Sequence, residues 1–306
     1  MRVFVTRRLP GTALERLGAE HEVDVWPERL PPPREELARR LQTSEGLLSL
    51  LTDRVDAALI ESSRGLRAIA NYAVGVDNVD LEAASARGIP VGNTPGVLTE
   101  STADLALALM LGAARRLVEG DAFVRRGEWR TWEPALLLGR DLHGAAVGIV
   151  GYGRIGQAVA RRLEGFGAQI LHTSRSGGMP MQELLERSDF VSLHCPLTPE
   201  TRGLVDDAAL ARMKPTSYLV NTARGPVVDT EALVRALHAG EIAGAALDVT
   251  DPEPLPGDHP LFDVPGLLLL PHIASSTHAT RERMADMAVD NLLAGLSGEP
   301  MPNQVN

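Results

Sequence analysis

Short apolar runs alternate with segments of helical spacing along the whole chain. VFVT at 3–6, GLLSLL at 46–51, LRAIANYAVG at 66–75 and IPVGN at 89–93 have the length and composition of short buried strands. The stretches between them, such as PPREELARRLQ, carry apolar residues at helical spacing. A second series begins near residue 145 with AAVGIVG, AQILHTS, FVSLHC, SYLVNTA, GAALDVT and GLLLLPHI. Continuous apolar strands alternating with helices predict an α/β fold, with two doubly wound parallel sheets, one per series, each covered by helices on both faces. Between the series, TESTADLALALMLGAARRL is polar at its start and apolar nearly all round, which predicts a buried helix. The last segment, THATRERMADMAVDNLLAGLSGEP, reads as an amphipathic helix ended by Gly and Pro, able to pack back on the first series.

The bulk numbers fit this picture and narrow it. A chain of 306 residues is long for one core. With 44% hydrophobic and 23% charged residues it has the composition of a globular protein, not a disordered one. Thirty basic against forty acidic side chains leave a net charge of −10, which argues against nucleic acid or an anionic membrane as the main partner. Any anionic ligand must therefore be captured by local donors working against the overall field. The longest apolar run, LALALMLGAA, is far short of a bilayer span. Cys195 is the only cysteine, so no internal disulfide can form, and the expected compartment is the reducing cytoplasm. The start, MRVFVTRRLPG, reads as a first strand and not as a signal peptide. No Cys/His cluster has metal-ligand spacing, and no serine elbow or Walker lysine is present.

VGIVGYGRIGQAVARRLEGFG contains Gly151-x-Gly153-x-x-Gly156 directly after an apolar strand and at the opening of a helix, the context that gives this motif meaning. Gly151 permits the tight turn, Gly153 lets a pyrophosphate approach the backbone, and Gly156 lets helix and strand pack closely. The helix start at Arg154 and Ile155 then offers free N–H groups and partial positive charge to a phosphate. A dinucleotide is the expected ligand. In such folds an acidic residue about 20 positions on takes the ribose 2′-hydroxyl, whereas an arginine accommodates a 2′-phosphate. Here that place reads Ser174-Arg175-Ser176, with no Asp or Glu between Gly167 and Met181. A guanidinium flanked by hydroxyls suits a phosphate dianion. The expected cofactor is NADP(H), with NAD(H) possible; the competing reading of Arg175 is a solvated loop arginine.

Three charged residues follow strands of the second series: Arg224 after YLVNTA, Glu253 in DVTDPEPL, and His272 in LLLLPHI. Ligands of open α/β sheets bind beyond the carboxyl ends of the strands, so these three are expected in one crevice. A 2-oxo acid accepting hydride needs its carboxylate and carbonyl held, which suits an arginine fork. It also needs a proton for the developing alkoxide, which a histidine can supply. A carboxylate bonded to that histidine favours its charged form. Pro252 and Pro254 bracket Glu253 and restrict its loop.

With these residues in view, the chain resembles the D-isomer-specific 2-hydroxyacid dehydrogenases over nearly its whole length. NYAVGVDNVDLEAASARGIPVGNTPG, VGIVGYGRIG, CPLTPETRGLV, LVNTARGPVVD, ALDVTDPEPL and LPHIASST occur in the family's order. GEWRTWEPALLLGRDLHG, the Ser-Arg-Ser loop and the tail NLLAGLSGEPMPN make it most similar to the glyoxylate/hydroxypyruvate reductases. The resemblance implies that Arg224, Glu253 and His272 are catalytic, and that the Val74 and Gly75 amides hold the substrate carboxylate. It implies that Ser275 lies at the substrate pocket, that Asp248 faces the nicotinamide side, and that Pro196 and Thr222 line the cofactor. Trp132 would reach the partner subunit's pocket in a homodimer, the alternative being plain interface packing. It also implies a substrate domain split in sequence, 1–97 with 278–306, around a dinucleotide-binding domain at 98–277. Two departures stand out: Ala274 where the family often has Gly, expected to narrow the pocket, and Tyr152 where Leu or Phe is more usual, expected to matter little. The activity implied is NADPH-preferring reduction of glyoxylate and hydroxypyruvate. The alternatives are another D-2-hydroxyacid dehydrogenase, acting on phosphoglycerate or a bulkier acid, and a dinucleotide-sensing corepressor-like scaffold.

Overall fold

In the structure, a computed structural model that describes residues 1–306, the chain forms two compact units: Met1–Leu98 with Ser276–Asn306, and Thr99–Ser275. The first unit runs β1 (Arg2–Val5), α1 (Ala13–Glu20), β2 (Glu22–Val25), α2 (Arg34–Leu41), β3 (Gly46–Ser49), α3 (Ala57–Ser62), β4 (Ala68–Asn71), α4 (Leu81–Ala86) and β5 (Val91–Gly92). Its strands form one parallel sheet in the order β2-β1-β3-β4-β5.

Alternation along these strands loads both faces of the sheet. Val3, Val5, Leu48, Ala68 and Ala70 pack with Met284, Ala288, Leu292 and Leu296 of the C-terminal helix His278–Ser297. Phe4, Leu47, Ile69 and Val91 face the other way, against Leu37, Leu41, Leu59 and Ile60 of α2 and α3. Leu292 is fully buried, so truncating it to Ala should cost about 2–5 kcal/mol. The short helices are started by side-chain caps: Asp56 accepts from the Leu59 amide at 3.0 Å and Asp80 from the Ala83 amide at 2.9 Å. β2 escapes the hydrophobic pattern because it is an edge strand, EVDV, with half its side chains polar.

The second unit opens with α5 (Thr99–Ala114) and α6 (Leu117–Arg125). It continues through β6 (Ala146–Val150), α7 (Arg154–Glu164), β7 (Gln169–Ser174), β8 (Gly177–Gly178), α8 (Met181–Arg187), β9 (Phe190–Leu193) and α9 (Asp207–Leu210). β10 (Tyr218–Asn221), α10 (Thr230–Ala239), β11 (Gly244–Leu247) and β12 (Leu267–Leu269) complete it. The sheet order is β12-β11-β10-β9-β6-β7-β8, parallel except for the β7–β8 hairpin. After β7 the chain crosses back to β9 on the far side of β6, so the order reverses between β6 and β9. Such switch points open the crevice where dinucleotides bind.

The all-round apolar character of α5 has a direct cause. Ala103, Ala106, Leu107 and Met110 are buried in the cluster that also contains Ile149, Val159, Val220 and Ala246, so the helix is enclosed by α7 and the central strands. No helix of either unit is long and apolar enough to cross a membrane.

Candidate active site

The fingerprint turn is built by steric necessity. Gly151 has φ of +93°, and a Cβ there would lie 2.5 Å from the Cys195 amide nitrogen, so the loops after β6 and β9 meet only because this side chain is absent. A Cβ on Gly156 would strike the Gly151 carbonyl. At Gly153 a Cβ would meet nothing within 4 Å: the space beyond that backbone is open. Gly153 caps α7 without a side-chain cap bond, so the amides of the first turn, including Arg154 and Ile155, are left for a ligand. An open cradle, uncapped amides and a positive helix end fit a dinucleotide pyrophosphate. Tyr152 has a partner of its own, stacking on His172 of β7 with ring centroids 4.0 Å apart, which ties the fingerprint loop to the neighbouring strand.

Ser174, Arg175 and Ser176 form the tip of the β7–β8 hairpin, in which Thr173 pairs with Gly178 and Ser174 with Gly177. Ser174 Oγ donates to the Gly177 carbonyl at 2.9 Å and lies 3.1 Å from Ser176 Oγ. Gly177 and Gly178 have φ of +140° and +111°, values that no other residue adopts without strain. Arg175 is exposed. Glu200, across from it, has its carboxyl held below the usual range, first by the Thr198 hydroxyl and also by the Arg175 charge.

Arg224, Glu253 and His272 follow three neighbouring strands held in register, with Asn221 opposite Leu247 and Leu247 opposite Leu269. Each is fixed differently. Asn221, fully buried, donates from Nδ2 to the Arg224 carbonyl at 2.9 Å and accepts the Ala223 amide at 3.0 Å, so it shapes the turn that carries Arg224. Arg224 Nη1 donates to the Ala223 carbonyl at 2.9 Å. Glu253 Oε1 accepts from His272 Nδ1 at 2.6 Å, a charge-assisted contact that sets the imidazole's orientation and leaves Nε2 as the nitrogen that can meet a substrate.

His272 sits in the left-handed region at φ +55°, a conformation that costs a non-glycine residue about 1–2 kcal/mol. Asp248 compensates. Its backbone carbonyl accepts the His272 amide at 2.8 Å, and its two carboxylate oxygens accept the Ile273 and Ala274 amides at 2.7 and 2.8 Å. Burial pushes the Asp248 carboxyl up, against those two amide bonds. Asp248 thus anchors the turn that presents His272. Ser275 and Ala274 follow in the same turn, both buried.

Among residues that sequence reasoning did not single out is His194, at the end of β9. Its Nε2 lies 2.9 Å from Ser192 Oγ and its Nδ1 3.3 Å from Thr222 Oγ1. Burial pushes this imidazole down to about 4, so it is neutral at pH 7 and links β9 to the Thr222 turn. Pro196 lies just beyond, its carbonyl accepting from Thr201 Oγ1 at 2.7 Å.

In the first unit, Val74 and Gly75 lie in the loop after β4, at the carboxyl edge of that sheet. Trp132 belongs to the second unit, in the segment after α6, and is 78% exposed. Trp129 and Leu138 of the same segment and Leu117, Val118 and Val124 of α6 are exposed too.

Comparison with known proteins places the chain in a family. Residues 107–274 match the family described as D-isomer specific 2-hydroxyacid dehydrogenase, NAD binding domain. Over its full length the chain is 50% identical to a glyoxylate reductase of Korarchaeum cryptofilum, covering 96% of that protein. Among solved structures it superposes on the TT0316 protein of Thermus thermophilus with a TM-score of 0.96 at 53% identity, over the whole of both chains. An NADPH-dependent glyoxylate/hydroxypyruvate reductase of Sinorhizobium meliloti, in complex with NADP and malonate, superposes with a TM-score of 0.85 at 34% identity, over 99% of this chain and 96% of that one. The chain belongs to the D-isomer specific 2-hydroxyacid dehydrogenases, oxidoreductases that work with a nicotinamide dinucleotide.

Proposed function

We propose that this enzyme reduces glyoxylate to glycolate and hydroxypyruvate to D-glycerate, with NADPH preferred over NADH. The observation that carries the reading is the 2.6 Å contact between Glu253 and His272 at the end of β12, which leaves His272 Nε2 as a proton donor. The names of the relatives support the substrate class. The nicotinamide dinucleotide, when bound, supplies the hydride for the carbonyl carbon. His272 delivers its Nε2 proton to the carbonyl oxygen as negative charge develops there. Glu253 holds the ring and balances its charge. Arg224 grips the acid and orients it, with the Val74 and Gly75 amides as further donors to the carboxylate, and Ser275 lies at the substrate.

The pyrophosphate rests on Gly151, Gly153, Gly156 and the amides of Arg154 and Ile155. Pro196, Thr222 and Asp248 lie along the rest of the cofactor. The exposed hairpin tip, Ser174-Arg175-Ser176, takes the 2′-phosphate, and the absence of a carboxylate there supports NADPH. Exposed Trp132 and its apolar neighbours support a homodimer, in which Trp132 meets the partner subunit. The lone cysteine supports a place in the reducing cytoplasm. The split unit holds substrate and the central one the dinucleotide; the compact units divide at 98/99 and 275/276, one residue past and two residues short of the 97/98 and 277/278 boundaries expected from the sequence.

His272→Gln tests the proton donor. It keeps a hydrogen-bonding side chain but has no proton to transfer. Turnover of glyoxylate should fall about 100- to 10,000-fold while NADPH affinity stays within about twofold. Near-normal turnover would remove His272 from the chemistry.

A further inference from the structure

The loop after β4 carries three consecutive carbonyls that are each held by a different donor. The Ala73 carbonyl accepts the Thr94 amide at 2.9 Å. The Val74 carbonyl accepts Asn93 Nδ2 at 2.7 Å, and the Gly75 carbonyl accepts Asn71 Nδ2 at 2.9 Å. A trans peptide is planar, with its C=O and the next N–H pointing in opposite directions. Holding the Val74 carbonyl therefore aims the Gly75 N–H away from Asn93, and holding the Gly75 carbonyl aims the Val76 N–H away from Asn71. Neither N–H takes part in a backbone turn or ladder bond.

The glycine at the centre makes this support necessary. With no Cβ at position 75, the two peptide planes that meet there are free to rotate unless something outside the loop fixes them. Both asparagines are themselves immobilised. Asn71 is fully buried, its Oδ1 accepts from Ser49 Oγ at 3.0 Å, and its Nδ2 also reaches Asn78 Oδ1 at 2.9 Å. The Asn93 carbonyl accepts Asn291 Nδ2 at 2.8 Å, and the Asn93 amide donates to the Asn303 carbonyl at 3.1 Å. Asn291 reaches that place because a Cβ on Gly92 would lie only 2.7 Å from Asn291 Cβ.

We propose that Asn71 and Asn93 are positioning residues that fix the peptide planes on either side of Gly75, aiming the Gly75 N–H at the substrate carboxylate beside that of Val74 and adding the Val76 N–H as a third donor. This rests on the reading of the loop as the carboxylate site. Neutral donors suit the task in a chain of net charge −10, because aimed peptide dipoles bind an anion without a cation that neighbouring carboxylates could neutralise. Asn93→Asp and Asn71→Asp preserve size and remove the donor that faces the carbonyl. Each should raise the KM for glyoxylate about 10- to 100-fold, with kcat changed far less and NADPH affinity unchanged. Asn306→Ala removes bonds to the Val91 amide and the Ile89 carbonyl at the edge of the same sheet. It should lower the unfolding temperature and leave KM alone, which separates aim from stability.

Gly75→Pro deletes the Gly75 N–H itself. A normal KM in that variant would refute the carboxylate-site reading. A raised KM there, with normal KM in both asparagine variants, would overturn only the positioning role. Should the asparagine variants not fold, the wild-type holoenzyme gives the answer by NMR with oxamate as the probe. An anion accepting from a peptide N–H strengthens the bond that the same peptide's C=O accepts. Oxamate should therefore shift the Gly75 and Val76 amide protons and slow exchange of the Asn71 and Asn93 side-chain amides; unchanged exchange at both would overturn the proposal.

Discussion

The two ends of the second sheet treat charge in opposite ways. At the β10–β12 end, Glu253 is tied to His272 and Asp248 to the turn that follows His272, with contacts of 2.6 to 2.8 Å. At the β7–β8 end, Arg175 stands exposed on a hairpin tip whose conformation depends on two glycines and a serine hydroxyl. Under the proposed function the difference follows from the tasks. A proton donor must be preset to the reacting atom, because a displacement of about 1 Å can cost a hundredfold in rate. A group that only distinguishes a phosphate from a hydroxyl needs charge and reach, and exposure does it little harm. Between the two ends sits His194, half-buried and neutral, a connector whose value is its hydrogen bonds and not its charge.

This contrast predicts separable effects. Ser174→Asp combined with Arg175→Ala should raise the NADPH Michaelis constant about 10- to 100-fold, the worth of one charge-assisted bidentate contact, while sparing NADH. If both cofactors respond alike, the hairpin tip does not read the phosphate and the contrast fails at that end.

A smaller effect, on stability and not on rate, is expected from His194. Its ring titrates near 4 in the folded protein and near 6.5 when unfolded. Above about pH 6.5 both states are neutral and this group leaves stability unaffected. As pH falls from 6.5 toward 4 only the unfolded chain takes up the proton, so stability is lost, by up to about 3 kcal/mol. Urea unfolding of His194→Gln should lack that part of the acid slope; the wild-type slope in the variant would show that the ring is not buried in its neutral form.

How much of this is legible in the sequence depends on whether a residue acts through local pattern or through distant contacts. Strands such as β6 and β10 are legible because burial on both faces makes them continuously apolar. β2 is not, because an edge strand alternates. β8 is not, because two glycines carry no pattern and their role is a backbone conformation. Glu253 and His272 are legible from their places after consecutive strands of one series. Asn71 and Asn93 are not: an asparagine after a strand looks like a turn residue, and the bond that fixes Asn93 comes from Asn291, 198 positions away. The same holds for the anchoring role of Asp248, a residue that the family resemblance places on the nicotinamide side but whose carboxylate holds the amides of a turn 25 and 26 positions on.

The most direct test of the central claim is a side-by-side measurement of kcat/KM for NADPH and NADH against glyoxylate, hydroxypyruvate, pyruvate and phosphohydroxypyruvate. The highest values are expected for glyoxylate and hydroxypyruvate with NADPH. Best turnover of phosphohydroxypyruvate with NADH would contradict both the substrate and the cofactor assignment.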